Sequence, residues 1–274
     1  MTGIEPVNIV DEAVQRVVTD EADAAPAAEV DEPPAEPPAA PVGTVAAPQR
    51  DLPAATGTPV PAPTRRADTA RERRRQETRE RIVDAAADLF AERGFDQVSV
   101  MEIARRAGVV EKTVFNHFPV KEGLVFDADP PMRAALVSAV RRRPADEPAA
   151  VAAGRFVVAA VSQLGSPRAL DAVAEMARVI RGSRTLVVRE REILGTLTDA
   201  LAEEIRRETA AQPGDLEPWL TAHAVLGLYA ALLDLARDRA LTGAAGTELT
   251  EELRASGRRG LDLLQYGLAG PDRR

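Results

Sequence analysis

SVMEIARRAGVVEKTVFNHF, residues 99–118, decides the fold of the N-terminal half. Ser99 and Glu102 have the S-x-x-E spacing of a capping box, ahead of the apolar positions Val100, Ile103, Ala104 and Ala107. The pattern predicts a helix over about 100–106. Ala107-Gly108-Val109 is a short glycine turn, and a further helix is predicted over about 111–117. Two short helices joined in this way make a helix-turn-helix. In that arrangement the first helix braces across a duplex backbone and the second enters the major groove, which is about 12 Å wide. Val109, Val114 and Phe118 are expected to face a small core, and Val110, Glu111, Lys112, Thr113 and Asn116 to face outward.

Upstream, Ile82, Ala85, Ala86, Leu89 and Phe90 recur at helical spacing before Gly94, which predicts a helix over about 70–93. Residues 64–81 hold eight bases against four acids. Arg65, Arg66, Arg71, Arg73, Arg74 and Arg75 lead into that helix, either as an arm that enters a minor groove or as a solvated helix face. Downstream, a helix is expected to begin near Lys121. Further helices are expected over about 131–142, 147–164, 168–182, 184–210, 215–240 and 247–268. No stretch alternates as a strand would, so the fold class is all-α: a three-helix DNA-binding domain over 64–126 and a larger helical domain over 127–274.

Residues 1–63 differ in kind. They hold 12 of the 21 prolines, with 11 acids and 2 bases, and read as a disordered acidic tail rich in proline and alanine. Within it, Ile9, Val10, Val14, Val17 and Val18 allow a short helix, either transient or a docking segment. The tail carries the negative balance of the chain. Its net −9 exceeds the overall −8, whereas residues 64–126 carry +2.

The 274 residues include no cysteine and two histidines, His117 and His223, so no thiolate or histidine-rich metal site is expected and no metal or cofactor is implied. No nucleophile elbow or phosphate-binding glycine loop is present, which argues against an enzyme. The sequence shows no secretory start and no apolar run of about 18 residues, so a cytoplasmic, nucleoid-associated protein without a membrane partner is expected.

The stretch from Arg79 to Phe126 resembles the DNA-binding domain of the tetracycline-repressor (TetR) family. The likeness rests on LFAERGF, the S-V-x-E-I-A helix start, AGV, T-V-F-N-H-F and the P-x-K-E junction, in one order over 48 residues. The resemblance implies an all-α homodimer that binds a double-stranded DNA operator and is released from it, most often as a repressor, by a small molecule bound in the C-terminal domain. It places Lys112, Thr113 and Asn116 at base edges, Phe115 beside the sugar-phosphate backbone, His117 and Lys121 at phosphates, and Arg105 and Arg106 at further backbone contacts. Ser99, Val110 and Glu111, at the starts of the two helices, complete the expected interface. The sequence departs from the family pattern at Val110, where a Ser or Thr cap is usual and its loss costs about 1 kcal/mol, and at Val120 and Gly123. Val110, together with the acidic tail, supports an alternative: a small-molecule-binding or scaffold protein with a degenerate helix-turn-helix.

In the C-terminal half, Leu249, Leu253, Gly257, Gly260, Leu261, Leu264 and Leu268 form one helical stripe, whose small residues let another helix approach. Trp219, His223, Leu226, Tyr229, Leu233 and Ala236 form a second. The resemblance implies that the last two helices pair across a two-fold axis, which predicts a palindromic operator. Met176, Arg178, Trp219, His223 and Tyr229 are the candidate ligand contacts. The stretch REREILGTLTDALAEEI (189–205) is similar to the branch with an acyl-CoA-like ligand-binding domain, which implies an acyl-type effector.

Overall fold

The computed structural model describes residues 65–126, 129–167, 169–243 and 246–267. The expected tail over 1–63, with the Val7–Val18 segment, and Leu268 lie outside the described residues. Within them the chain is all-α, and no strand occurs. The helices are α1 (Arg65–Arg93), α2 (Val100–Arg106), α3 (Glu111–His117), α4 (Asp129–Arg141), α5 (Ala149–Gln163), α6 (Leu170–Arg181), α7 (Arg184–Glu208), α8 (Glu217–Leu241) and α9 (Gly246–Tyr266). The helix expected near Lys121 is instead a single 3₁₀ turn, Lys121–Leu124, and α4 starts only at Asp129. Pro119 ahead of the turn and Gly123 within it both disfavour a longer helix.

Two apolar cores organise these helices. The N-terminal core gathers Ile82, Ala86, Leu89 and Phe90 of α1, Ile103 and Ala104 of α2, Val114 of α3, and Phe95, Phe118 and Leu124 of the connections. Ile180 at the end of α6 and Leu186 at the start of α7 belong to the same core, so the second half of the chain reaches into the first. The elbow between these two helices is fixed by buried Ser183. Its Oγ accepts from the Leu186 amide at 3.4 Å, capping α7, and donates to Asp96 Oδ1 at 2.7 Å.

The larger core joins α4, α5, α7, α8 and α9 around Leu136, Phe156, Val161, Leu197, Leu201, Tyr229 and Leu253. The small-residue stripe of α9 is used within the chain. A Cβ at Gly257 would lie 2.5 Å from Val158 of α5, and one at Gly260 would press on Leu228 of α8. Glycine at these positions lets three helix backbones close up, and the neighbours brought close are α5 and α8 of the same subunit. Leu249 and Leu253 are buried in this packing, whereas Leu264 is exposed. Glu204 of α7 is buried too, and Arg141 of α4 grips it with two hydrogen bonds of 2.7 and 3.0 Å while Arg207 adds a third. Pairing is what makes a buried carboxylate tolerable.

The apolar stripe expected on α8 is buried only in part. Leu226, Tyr229 and Ala236 are buried, whereas Trp219 and His223 are exposed on the outside. Alone among the described helices, α8 is long and apolar enough to cross a membrane, and its buried residues pack into the larger core.

Candidate nucleic-acid interface

The bracing helix α2 starts on the expected capping box. Ser99 Oγ accepts from the Glu102 amide at 3.3 Å, and the Ser99 amide donates to Glu102 Oε2 at 2.8 Å. The Ser99 hydroxyl also donates to Glu102 Oε2, and Arg93 donates to Oε1 at 2.9 Å. These bonds, those from Ser99 first, hold the Glu102 carboxyl at a pKa of about 2. The depressed value stabilises the fold above the ordinary pKa of 4.5, and that contribution is lost as pH falls from there to about 2. Glu102→Gln should therefore flatten the stability–pH slope between pH 4.5 and 2, measured by urea unfolding at stepped pH. Ser99→Ala should cost about 1 kcal/mol at neutral pH. A slope unchanged by Glu102→Gln would refute this origin of the acid sensitivity.

Gly108 makes the turn to α3. Its φ of +67° is open to glycine and strained for a residue with a side chain, and the Val109 amide then closes on Ala104 O at 2.9 Å. Val110 is the N-cap of α3 and supplies no side-chain bond, as the sequence predicts. Val114 and Phe118 anchor α3 in the core, with Val109 partly buried beside them. Outward, Val110, Glu111, Lys112, Phe115 and Asn116 are exposed, and Thr113 is half-buried. One face of α3 therefore offers a carboxylate, an ammonium, a carboxamide and an aromatic ring to a partner.

Arginines of α1 tie this motif down from behind. Arg79 stacks over the Phe118 ring at 4.4 Å and donates to His117 O at 3.5 Å, while Arg81 donates to Ala107 O at 3.4 Å. Each satisfies a carbonyl at the C-terminal end of a short helix, where cations are favoured. His117 is half-buried, and burial followed by the charges of Arg75 and Arg79 lowers its pKa. The imidazole of α3 thus sits at the foot of a run of arginines that continues up α1.

The remaining expected contacts are placed differently. Lys121 is not held out at the start of an α-helix. It is half-buried, donates to Phe95 O at 2.5 Å and lies over the Phe95 ring at 4.0 Å. Desolvation lowers its pKa. Its geometry is that of a clamp between the Lys121–Leu124 turn and the Phe95–Gln97 turn ahead of α2. Arg106 is exposed but turned back onto Asp88 and Glu92 of α1 at 3.4 and 3.2 Å, whereas Arg105 is exposed beside it. Sequence periodicity did not reveal the clamping roles of Arg79, Arg81 and Lys121, because each depends on a carbonyl distant in sequence.

The five candidate ligand contacts do not converge. Met176 is half-buried against the N-terminal core, where it lines a cavity of 20 Å³ with Phe90, Leu124 and Val179, room for about one water. Arg178 is exposed, and Tyr229 is buried in the larger core. Trp219 and His223 stack on each other at 3.8 Å on the outer face of α8, with His223 Nδ1 2.9 Å from Trp219 O.

Residues 82–128 match the family described as bacterial regulatory proteins, tetR family. A provisional mycofactocin biosynthesis transcriptional regulator of Mycobacterium tuberculosis is 44% identical over 52 residues, which are 19% of this chain and 26% of that protein. The uncharacterized HTH-type transcriptional regulator YvkB of Bacillus subtilis is 44% identical over 48 residues, 18% of this chain and 25% of its own. The chain thus spans about a quarter of the length of these relatives. Among solved structures, NalD of Pseudomonas aeruginosa, the secondary repressor of the MexAB-OprM multidrug efflux pump, is 23% identical with a TM-score of 0.47 over 68% of this chain and 97% of that one. Thermus thermophilus FadR, a TetR-family repressor in complex with lauroyl-CoA, is 27% identical with a TM-score of 0.45 over 71% of this chain and 96% of that one. The helix-turn-helix of α2 and α3, braced by α1, thus lies within the segment, residues 82–128, that matches the tetR family of bacterial regulatory proteins.

Proposed function

We infer that the protein is a dimeric transcriptional regulator, acting as a repressor, that reads a palindromic operator with α3 of each subunit and leaves it when a small molecule binds the C-terminal half. The observation that carries the reading is the exposed face of Glu111, Lys112, Phe115 and Asn116, held rigid from behind by Val114, Phe118 and Arg79. Such a face suits base edges: lysine donates to guanine O6 and N7, and asparagine pairs with adenine. In this reading Ser99, Val110 and Thr113 complete the interface, and Arg105 and His117 contact phosphates. Lys121 acts through the position of its turn.

The outer face of α8 supports a two-fold partner. Leu216, Trp219 and Leu220 are 68%, 51% and 55% exposed, and Leu263, Leu264 and Tyr266 of α9 are exposed as well. An apolar patch of this kind on an otherwise charged surface marks an interaction site. A second copy of the same surface satisfies it, and the two α3 helices then meet half-sites about one helical turn apart. An acyl-type effector is the expectation carried by residues 189–205. Saturable binding of a long-chain acyl-CoA, measured by calorimetry, together with release of the bound operator, would test it.

The test of DNA reading is recovery of bound genomic fragments, followed by anisotropy on the recovered site. Lys112→Ala and Asn116→Ala should each weaken the cognate duplex by about 1–3 kcal/mol and relax specificity at the base concerned. Affinities unchanged in both variants would show that α3 does not read bases, and would favour the alternative of a scaffold with a degenerate helix-turn-helix.

A further inference from the structure

The first buried residue of α1 that belongs to the N-terminal core is Ile82. The preceding 17 residues, 65–81, continue the same helix for about 25 Å beyond that core. Arg71, Arg74 and Arg75 lie three and four positions apart, hence on one face, and all are exposed, as is Arg73. The minor-groove arm that the sequence allows is therefore a helical rod with a basic face. That face leads down to Arg79 and His117 at the end of α3. Nothing in the DNA-reading motif uses it.

The same chain holds the complementary charge. Residues 5–36 contain ten carboxylates (Glu5, Asp11, Glu12, Asp20, Glu21, Asp23, Glu29, Asp31, Glu32 and Glu36) and one base, Arg16. Residues 37–64, 28 in number, separate that block from the start of α1, and at about 3.3 Å per residue they can span up to about 90 Å. The acidic block can thus reach the whole basic face and the recognition helix. Tethering gives it an effective concentration of order millimolar, which lets many weak ion pairs compete with a free polyanion. Solvated pairs of this kind are individually weak and strongly screened by salt.

We propose that residues 5–36 dock on the Arg71–Arg74–Arg75 face of α1 and compete there with DNA phosphate, so that the acidic segment lowers affinity for non-cognate DNA. The competition rests on the DNA-binding reading above; the docking does not. A base-specific operator complex outlasts the competitor because contacts from α3 add to the phosphate contacts, whereas non-specific binding consists of phosphate contacts alone.

The test uses the full chain in two forms, one native and one with the ten carboxylates converted to Asn or Gln. First, without DNA, a labelled peptide of residues 5–36 is titrated into the neutralised chain. Saturable binding is expected at 50 mM salt, lost by 300 mM and lost on Arg71→Gln/Arg74→Gln/Arg75→Gln. Second, both chains are titrated with random-sequence duplex. The neutralised chain should bind about tenfold more tightly at 50 mM salt, with the difference shrinking towards about twofold at 300 mM. Absence of peptide binding at 50 mM, or equal duplex affinities of the two chains there, overturns the proposal. Peptide binding with no duplex binding by either chain would leave the docked segment standing and remove the DNA reading instead.

Discussion

Leu220→Glu should convert the protein to a folded monomer and weaken operator binding by at least about 100-fold. Leu220 is 55% exposed, so a carboxylate there costs the isolated subunit little. In the two-fold assembly proposed above, the same position would be covered by Leu216, Trp219 and their copies. Each glutamate would then lose its water without gaining a partner, at a cost of several kcal/mol. The effect on DNA follows from valency. Two α3 helices on one rigid dimer bind two half-sites with an avidity about 10²–10⁴ above that of one. Light scattering gives the mass, circular dichroism the helix content, and anisotropy on the recovered operator the affinity. A variant that remains dimeric would place the interface elsewhere, and a monomer with native affinity would mean that the two reading helices do not act together.

Gly165→Ala should be the most damaging single methyl addition. Gly165 follows α5, where the chain of α9 crosses it, and a Cβ would lie 2.7 Å from the Thr250 amide nitrogen and 2.9 Å from its Cα. Both are backbone atoms, so no rotamer change relieves the clash and α9 must move as a body. Overpacking of this kind costs about 1–3 kcal/mol. For a chain of this size that lowers Tm by several degrees, up to about 10 °C. Gly195→Ala is the matched control. It lies exposed within α7 with nothing near its absent Cβ, and the greater helix propensity of alanine should stabilise the protein by up to about 1 kcal/mol. Thermal unfolding of the two variants side by side separates crowding from backbone entropy. Equal Tm values would refute the close approach of α9.

The two short helices were legible to the residue because local chemistry marks both ends. A capping box starts α2, a glycine with positive φ ends it, and Pro119 follows α3. The longer C-terminal helices were placed within a few residues by their Pro and Gly breaks. The faces were harder to read. α8 is apolar nearly all round, so spacing alone joined Trp219 and His223 to Tyr229, although the fold buries Tyr229 and leaves the other two exposed near the start of the helix. The glycines of α9 announced a close neighbour but not its identity, which proved to be α5 and α8 of the same subunit. Lys121 has the right charge for a phosphate and the right place in sequence. The carbonyl of Phe95, 26 residues away, decides otherwise.

The contribution of Ile180 and Leu186 to the N-terminal core, with Ser183 bonded to Asp96, limits modularity. A reading head excised after residue 126 would keep its recognition helix but lose two fully covered aliphatic plugs, and with them part of its floor. Any chimera that grafts this head onto a foreign sensor must carry the α6–α7 elbow as well, or supply side chains of the same shape.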